Sequence, residues 1–164
     1  MFKKKIKYEE LLNLITQIGY ERFYTINENL KQQFSYKEAY FYLVFQLINC
    51  FIFQRMLKYK KIISHNTDVF KDICGFIIES IQSEYKDDIK LAYIQIKDDI
   101  LDIWKNDNDT NSNNEINMTA NYLVNEILEC EDNEYIDLKL FFVDIITEFH
   151  FENKEIISSF KLIN

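Results

Sequence analysis

Along most of the chain, apolar residues recur at spacings of three and four, the repeat that lines one face of an α-helix. Leu11, Leu12, Leu14, Ile15 and Ile18 form the first such face, and Gly19 follows it, a residue suited to the left-handed conformation that ends a helix. Phe23, Ile26 and Leu30 mark a second short helix over about 21–33. Ser35-Tyr36-Lys37-Glu38 has the form of a capping box, in which a hydroxyl and a carboxylate satisfy backbone N–H groups at a helix start. The helix it opens reaches about Lys61. Its stretch Ala39 to Gln54 carries no charged residue and is apolar all round except for Gln46, Asn49 and Gln54. Such a helix must be surrounded. Sixteen residues rise only about 24 Å, short of the ~30 Å of bilayer hydrocarbon, so the pattern predicts a central core helix and no membrane span.

Further on, His65-Asn66-Thr67-Asp68 reads as a cap before a helix to about Tyr85, with Phe70, Ile73, Cys74, Ile77 and Ile81 on one face. Asp87 or Asp88 caps the next helix, to about Lys105, where Ile96, Ile100, Ile103 and Trp104 share a face. The alternation Ile89, Leu91, Tyr93 is also strand-like, but the turn residues of a hairpin are missing. Residues 106–114 are Asn, Asp, Ser and Thr only, which predicts a flexible surface loop. Helices then follow over about 115–130 and 135–152, joined by a polar turn at 131–134. A short terminal helix from Asn153 carries Ile156, Ile157 and Phe160.

With no Pro and only two Gly in 164 residues, the chain lacks the punctuation of sheet-rich folds and of glycine-loop nucleotide sites. Its 48% hydrophobic content can fill one core. The expectation is an all-α single domain over residues 1–164, an irregular bundle of six to eight helices around the central helix at about 35–61. Cys50, Cys74 and Cys130 form no Cys-x-x-Cys pair and read as reduced core residues. The basic start Lys3-Lys4-Lys5 runs into Tyr8, Glu9 and Glu10 where a secretory signal needs an apolar run, which favours the cytoplasm.

Charge changes the picture most. The net charge is −8, yet residues 1–61 carry 11 Lys and Arg against five Glu, whereas residues 62–164 carry eight against 22 acids. On the last long helix Asp137, Asp144, Glu148 and Glu152 fall in a narrow arc opposite the apolar face, and Glu126 and Glu129 sit on the helix before it. Neighbouring carboxylates on a helix repel by about 0.2–0.5 kcal/mol per pair. Such a stripe is either a solvated face or a docking surface for a cationic partner, with these six acids as the partner-binding set. Free nucleic acid is disfavoured by the negative surface. Lys3, Lys4, Lys5, Lys7, Arg55, Lys58, Lys60 and Lys61 offset the acidic half.

Acids also raise the question of metals. Asp107-x-Asp109-x-Asn111 starts like an EF-hand loop, but Ser112 replaces its Gly and Met118 its bidentate Glu. Glu126-x-x-Glu129 with Glu152-x-x-Glu155 resembles the paired acidic helices of all-α nucleotide pyrophosphohydrolases, although the family's final Asp is Glu155 here. The resemblance implies a magnesium-dependent hydrolase, with magnesium held by Glu126, Glu129, Glu152 and Glu155, and a helix break between Glu152 and Glu155 would count against it. His65 and His150 occupy positions common for structural histidines. The preferred expectation is a binding protein without cofactor or catalytic residues. It would dock on and neutralise or regulate a basic partner such as a toxin, and is similar to immunity and antitoxin proteins in size, charge and helicity. Self-association into a homodimer through exposed tyrosines is compatible with this reading.

Overall fold

The structure, a computed structural model, describes residues 3–73, 86–104, 113–129 and 134–163. It is an all-α bundle packed around one apolar helix. The described elements are strand β1 (Lys4–Lys7), helix α1 (Tyr8–Leu30), strand β2 (Ser35–Tyr36), helix α2 (Glu38–Tyr59), helix α3 (Lys86–Trp104), helix α4 (Asn113–Tyr122), a π-helical turn (Leu123–Ile127), strand β3 (Leu128–Glu129), helix α5 (Tyr135–Ser159) and strand β4 (Phe160–Ile163). Residues 69–73 are also helical, and Asp68 Oδ1 accepts the Lys71 N–H at 3.1 Å, as the expected cap there requires.

Helix α2 is the central helix that its sequence demands. Phe41, Leu43 to Phe53 and Leu57 are fully or almost fully buried on every side of it. By length and composition it could cross a membrane, but 78% of its most apolar stretch is covered by protein. The three amides in that stretch explain how a helix so apolar holds its neighbours in register. Asn49 Nδ2 donates to the Ile15 carbonyl at 2.8 Å, and Gln46 Nε2 to the Thr16 carbonyl at 3.1 Å, both on α1. Gln54 Oε1 accepts the Phe70 N–H at 3.2 Å. Buried amides without partners would each cost roughly 1–3 kcal/mol, so these bonds fix which faces meet. Rings do the rest on the far side. Phe41 and Phe45 of α2 meet Phe142 and Phe149 of α5 edge-on, with centroids 6.0 and 5.8 Å apart.

Four sequence expectations are corrected. Helix α1 does not end at Gly19 but runs through it, because Gly19 is the point of closest approach to α2: a Cβ there would lie 2.8 Å from Gln46 Cδ. The capping box at Ser35 does not form. Ser35 lies in β2, Lys37 precedes α2, and the Glu38 carboxylate accepts instead from Asn27 Nδ2 at 2.7 Å. The capping interaction belongs to α1, where Glu10 Oε2 accepts the Lys7 N–H at 2.6 Å. The helix opened at Asn113 leaves helical geometry after Ile127, as β3 pairs antiparallel with β2, Ser35 opposite Glu129. Finally, α5 has no break at Asn153, which is wholly buried in the helix, and the terminal helix is replaced by β4. The rest of the expected 106–114 loop before Asn113, the 131–133 part of the turn, and Cys74 and Cys130 lie outside the described residues; Cys50 is buried in the core.

β1 and β4 pair in parallel, Lys4 opposite Phe160 and Lys7 opposite Ile163. Ile15 beside Asn49 and Phe23 beside Phe41 set α1 antiparallel to α2, whereas Phe142 beside Phe41, Phe149 beside Phe45 and Ser158 beside Lys60 set α5 parallel to α2, so α1 and α5 run antiparallel to each other.

Candidate functional site

The groove between α1 and α5 has a volume of about 640 Å³. Its floor is apolar, with Ile18 and Ile26 from α1 and Ile145, Phe149 and Ile156 from α5. These residues follow the three-and-four periodicity of both helices, which pack on α2 and leave the groove between them. Four carboxylates edge it: Glu21 of α1 and Glu148, Glu152 and Glu155 of α5. All four belong to exposed residues.

One cation lies among them. Arg22 is 8% exposed, and its guanidinium donates to Glu152 Oε2 at 2.7 and 3.2 Å and to Asn49 Oδ1, while stacking 4.2 Å over the Phe149 ring. Burial pulls the Arg22 pKa down, and the bonded Glu152, with Glu148 nearby, opposes that pull and keeps the charge. Glu152 itself is 49% exposed. Its carboxylate therefore faces Arg22 on one side and solvent on the other. Among the described residues of the groove wall, four carboxylates stand against one guanidinium, which leaves an excess of negative charge over an apolar floor.

The acids are unevenly placed. Arg22 meets Glu152 and Phe149, so in the antiparallel arrangement Ile18 and Glu21 lie toward Glu155 and Ile156, and Asn29 lies toward Phe141. Glu21, Glu152 and Glu155 thus occupy one half, and Glu148 stands at the middle, level with Thr25. Among the described residues, the lining of the other half, Thr25, Ile26, Asn29, Phe141 and Ile145, is uncharged. Phe141 is 40% exposed there, and Leu140 and Ile136 expose further apolar surface on the first turns of α5.

Of the six acids expected to form the partner surface, Glu148 and Glu152 line the groove. Asp144 is exposed on the same helix outside it, and Asp137 is exposed in the first turn of α5. Glu126 is exposed in the π-helical turn, and Glu129 pairs in β3. Of the set Glu126, Glu129, Glu152 and Glu155, the last two share the groove, and Glu152 there accepts from Arg22. Among the described residues no group of three His, Cys, Asp or Glu side chains stands close enough to share a metal ion. Sequence reading missed Glu21, Arg22 and Phe141. Arg22 did leave a signal, a lone cation four residues after Ile18 on the apolar stripe of α1, where a charge needs a buried partner.

A second polar cluster lies on the inner side of α5. Arg55 Nη2 is 3.5 Å from Glu115 Oε1, and its guanidinium lies 5.3 Å over Trp104, whose indole N–H donates to Thr119 at 2.9 Å. His150 stacks on Trp104 at 6.2 Å. Burial, then the nearby Arg55 and Arg22, push the His150 pKa down to about 4, so the ring is neutral at pH 7. This cluster holds α3, α4 and α5 against α2. No family model matches the chain, and no curated protein or solved structure is significantly similar to it.

Proposed function

We propose that this chain is a small acidic helical binding protein that docks on a basic partner protein, neutralising or regulating it, in the cytoplasm. The observation that supports this most is the convergence of Glu21, Glu148, Glu152 and Glu155, from two helices far apart in sequence, around an accessible apolar groove. A solvated acidic face needs no such floor. Carboxylates beside apolar surface attract a cationic partner over long range and then give it area to bury, which combines fast association with a slow release. The net charge of −8 extends the attraction beyond the groove. Asp144, exposed next to Glu148, belongs to the same field.

The test is affinity capture from the native source with two baits, the natural chain and Asp144→Lys/Glu148→Lys. Both positions are exposed, so the variant keeps its fold, which circular dichroism checks. The reading predicts a captured protein of basic isoelectric point that the variant fails to retain. Equal capture by both baits, or a captured partner that is acidic, would contradict it.

A further inference from the structure

Resting on the proposed function, we infer that the α1/α5 groove receives a single amphipathic helix of the partner, about three turns long, with its apolar residues at one end and its Lys or Arg residues at the other. Length is the first argument. From Ile18 to Asn29 the groove follows α1 for about 16 Å, and an occupant lying along it matches that with roughly 11 helical residues. A groove bounded by two antiparallel helices and floored by Ile18, Ile26, Ile145, Phe149 and Ile156 offers side-chain contacts but no strand edge. The backbone N–H and C=O groups of an extended peptide would find no ladder there. A helix satisfies its own backbone and presents anchors at i, i+3, i+4 and i+7 to such a floor.

Polarity along the groove is the second argument. Among the described residues, the half built from Thr25, Ile26, Asn29, Phe141 and Ile145 is uncharged, and exposed Phe141 gives it an aromatic lip. The other half carries Glu21, Glu152 and Glu155, with Glu148 at the boundary between the two. Arg22 lies beneath Glu152 and is held by Asn49 as well, so it stays in the wall instead of competing for the ligand position. Glu152 keeps its outward side for a second cation. An occupant with apolar anchors at the Phe141 end and cations at the Glu155 end is complementary; the reversed one sets its cations against uncharged surface and its apolar end among carboxylates. The groove therefore selects direction as well as charge.

The experiment is selection of binders to the full chain from a displayed library of 14-residue helical peptides, followed by NMR mapping of the enriched sequences on the labelled protein. The inference predicts enriched peptides with apolar anchors at helical spacing and Lys or Arg clustered at one end. A nitroxide on the apolar end should broaden Phe141 and Ile145, and one on the basic end should broaden Glu152 and Glu155. Scrambling a selected peptide at constant composition should weaken it at least tenfold, and Phe141→Ala should weaken the intact peptide while leaving the circular dichroism unchanged. Enriched peptides that are basic but without spacing, and that lose nothing on scrambling, would overturn the helical occupant and leave the acidic docking surface standing. No enrichment, or binders that map away from both halves, would overturn both. Concentration-dependent shifts of Phe141 and Ile145 without any peptide would assign the groove to a second copy of the chain and likewise overturn the inference.

Discussion

Arg22 on α1 and Glu152 on α5 are joined at 2.7 Å, although 130 residues separate them, and their burial is unequal: the guanidinium is 8% exposed and the carboxylate 49%. The pair therefore responds differently to loss of either member. Replacing Arg22 by Met removes a buried charge, frees Glu152 to water and leaves Asn49 Oδ1 short of a donor, at roughly 1–2 kcal/mol. Replacing Glu152 by Ala leaves the buried guanidinium without its counter-charge, which costs about 2–3 kcal/mol, at the lower end for a buried pair because solvent reaches this one. Urea denaturation should show Glu152→Ala as the less stable variant. The reverse order would mean that Arg22 is solvated in the folded protein.

Gly19 and Gln46 make a second testable relationship. Ala is favoured over Gly in a helix by about 1 kcal/mol, yet at position 19 its Cβ would meet a Gln46 side chain held by the Thr16 carbonyl and the Tyr42 hydroxyl. Gly19→Ala should destabilise the protein by about 1 kcal/mol or more. In a Gln46→Ala background the same substitution should become stabilising. A double-mutant cycle measures this coupling, and additive effects would show that α1 and α2 are not in contact at this point.

His150 gives the protein a pH dependence whose sign is fixed. Its folded pKa of about 4 lies below the ordinary 6.5, so between these values the unfolded chain binds the extra proton. Stability is then fully present above pH 6.5 and is lost as pH falls toward 4, by on the order of 2–3 kcal/mol from this residue. Denaturation midpoints at pH 7 and pH 4.5 should differ more for the natural chain than for His150→Phe, which keeps the ring against Trp104. Equal differences would place His150 in water.

Fold class was legible in the sequence because the apolar spacing and the uncharged stretch Ala39 to Gln54 leave few alternatives to a central helix. Several boundaries were not, for reasons that involve distant residues. Gly19 reads locally as a helix stop, and only the approach of Gln46 makes it an interior residue. Glu38 reads as a cap until Asn27 claims its carboxylate. β1 is Lys-Lys-Ile-Lys, with no strand signal of its own, and it pairs with residues more than 150 positions away. Packing of both helices on α2 brings α1 alongside α5. Glu148 and Glu152 could be picked out on their own helix, but Glu21, Arg22 and Phe141 join them only once the two helices are known to be antiparallel neighbours.

The central claim, that the acidic groove draws in a cationic partner, is tested most directly by the salt dependence of association. Between 10 and 150 mM ionic strength the screening length falls from ~30 to ~8 Å, which removes long-range attraction and leaves contacts intact. With the captured partner, stopped-flow association of the natural chain should slow steeply across that range. Asp144→Lys/Glu148→Lys should associate about tenfold more slowly at low salt and show a much shallower dependence, with both proteins converging at high salt. Identical association rates for the two proteins at both salt concentrations would contradict the account.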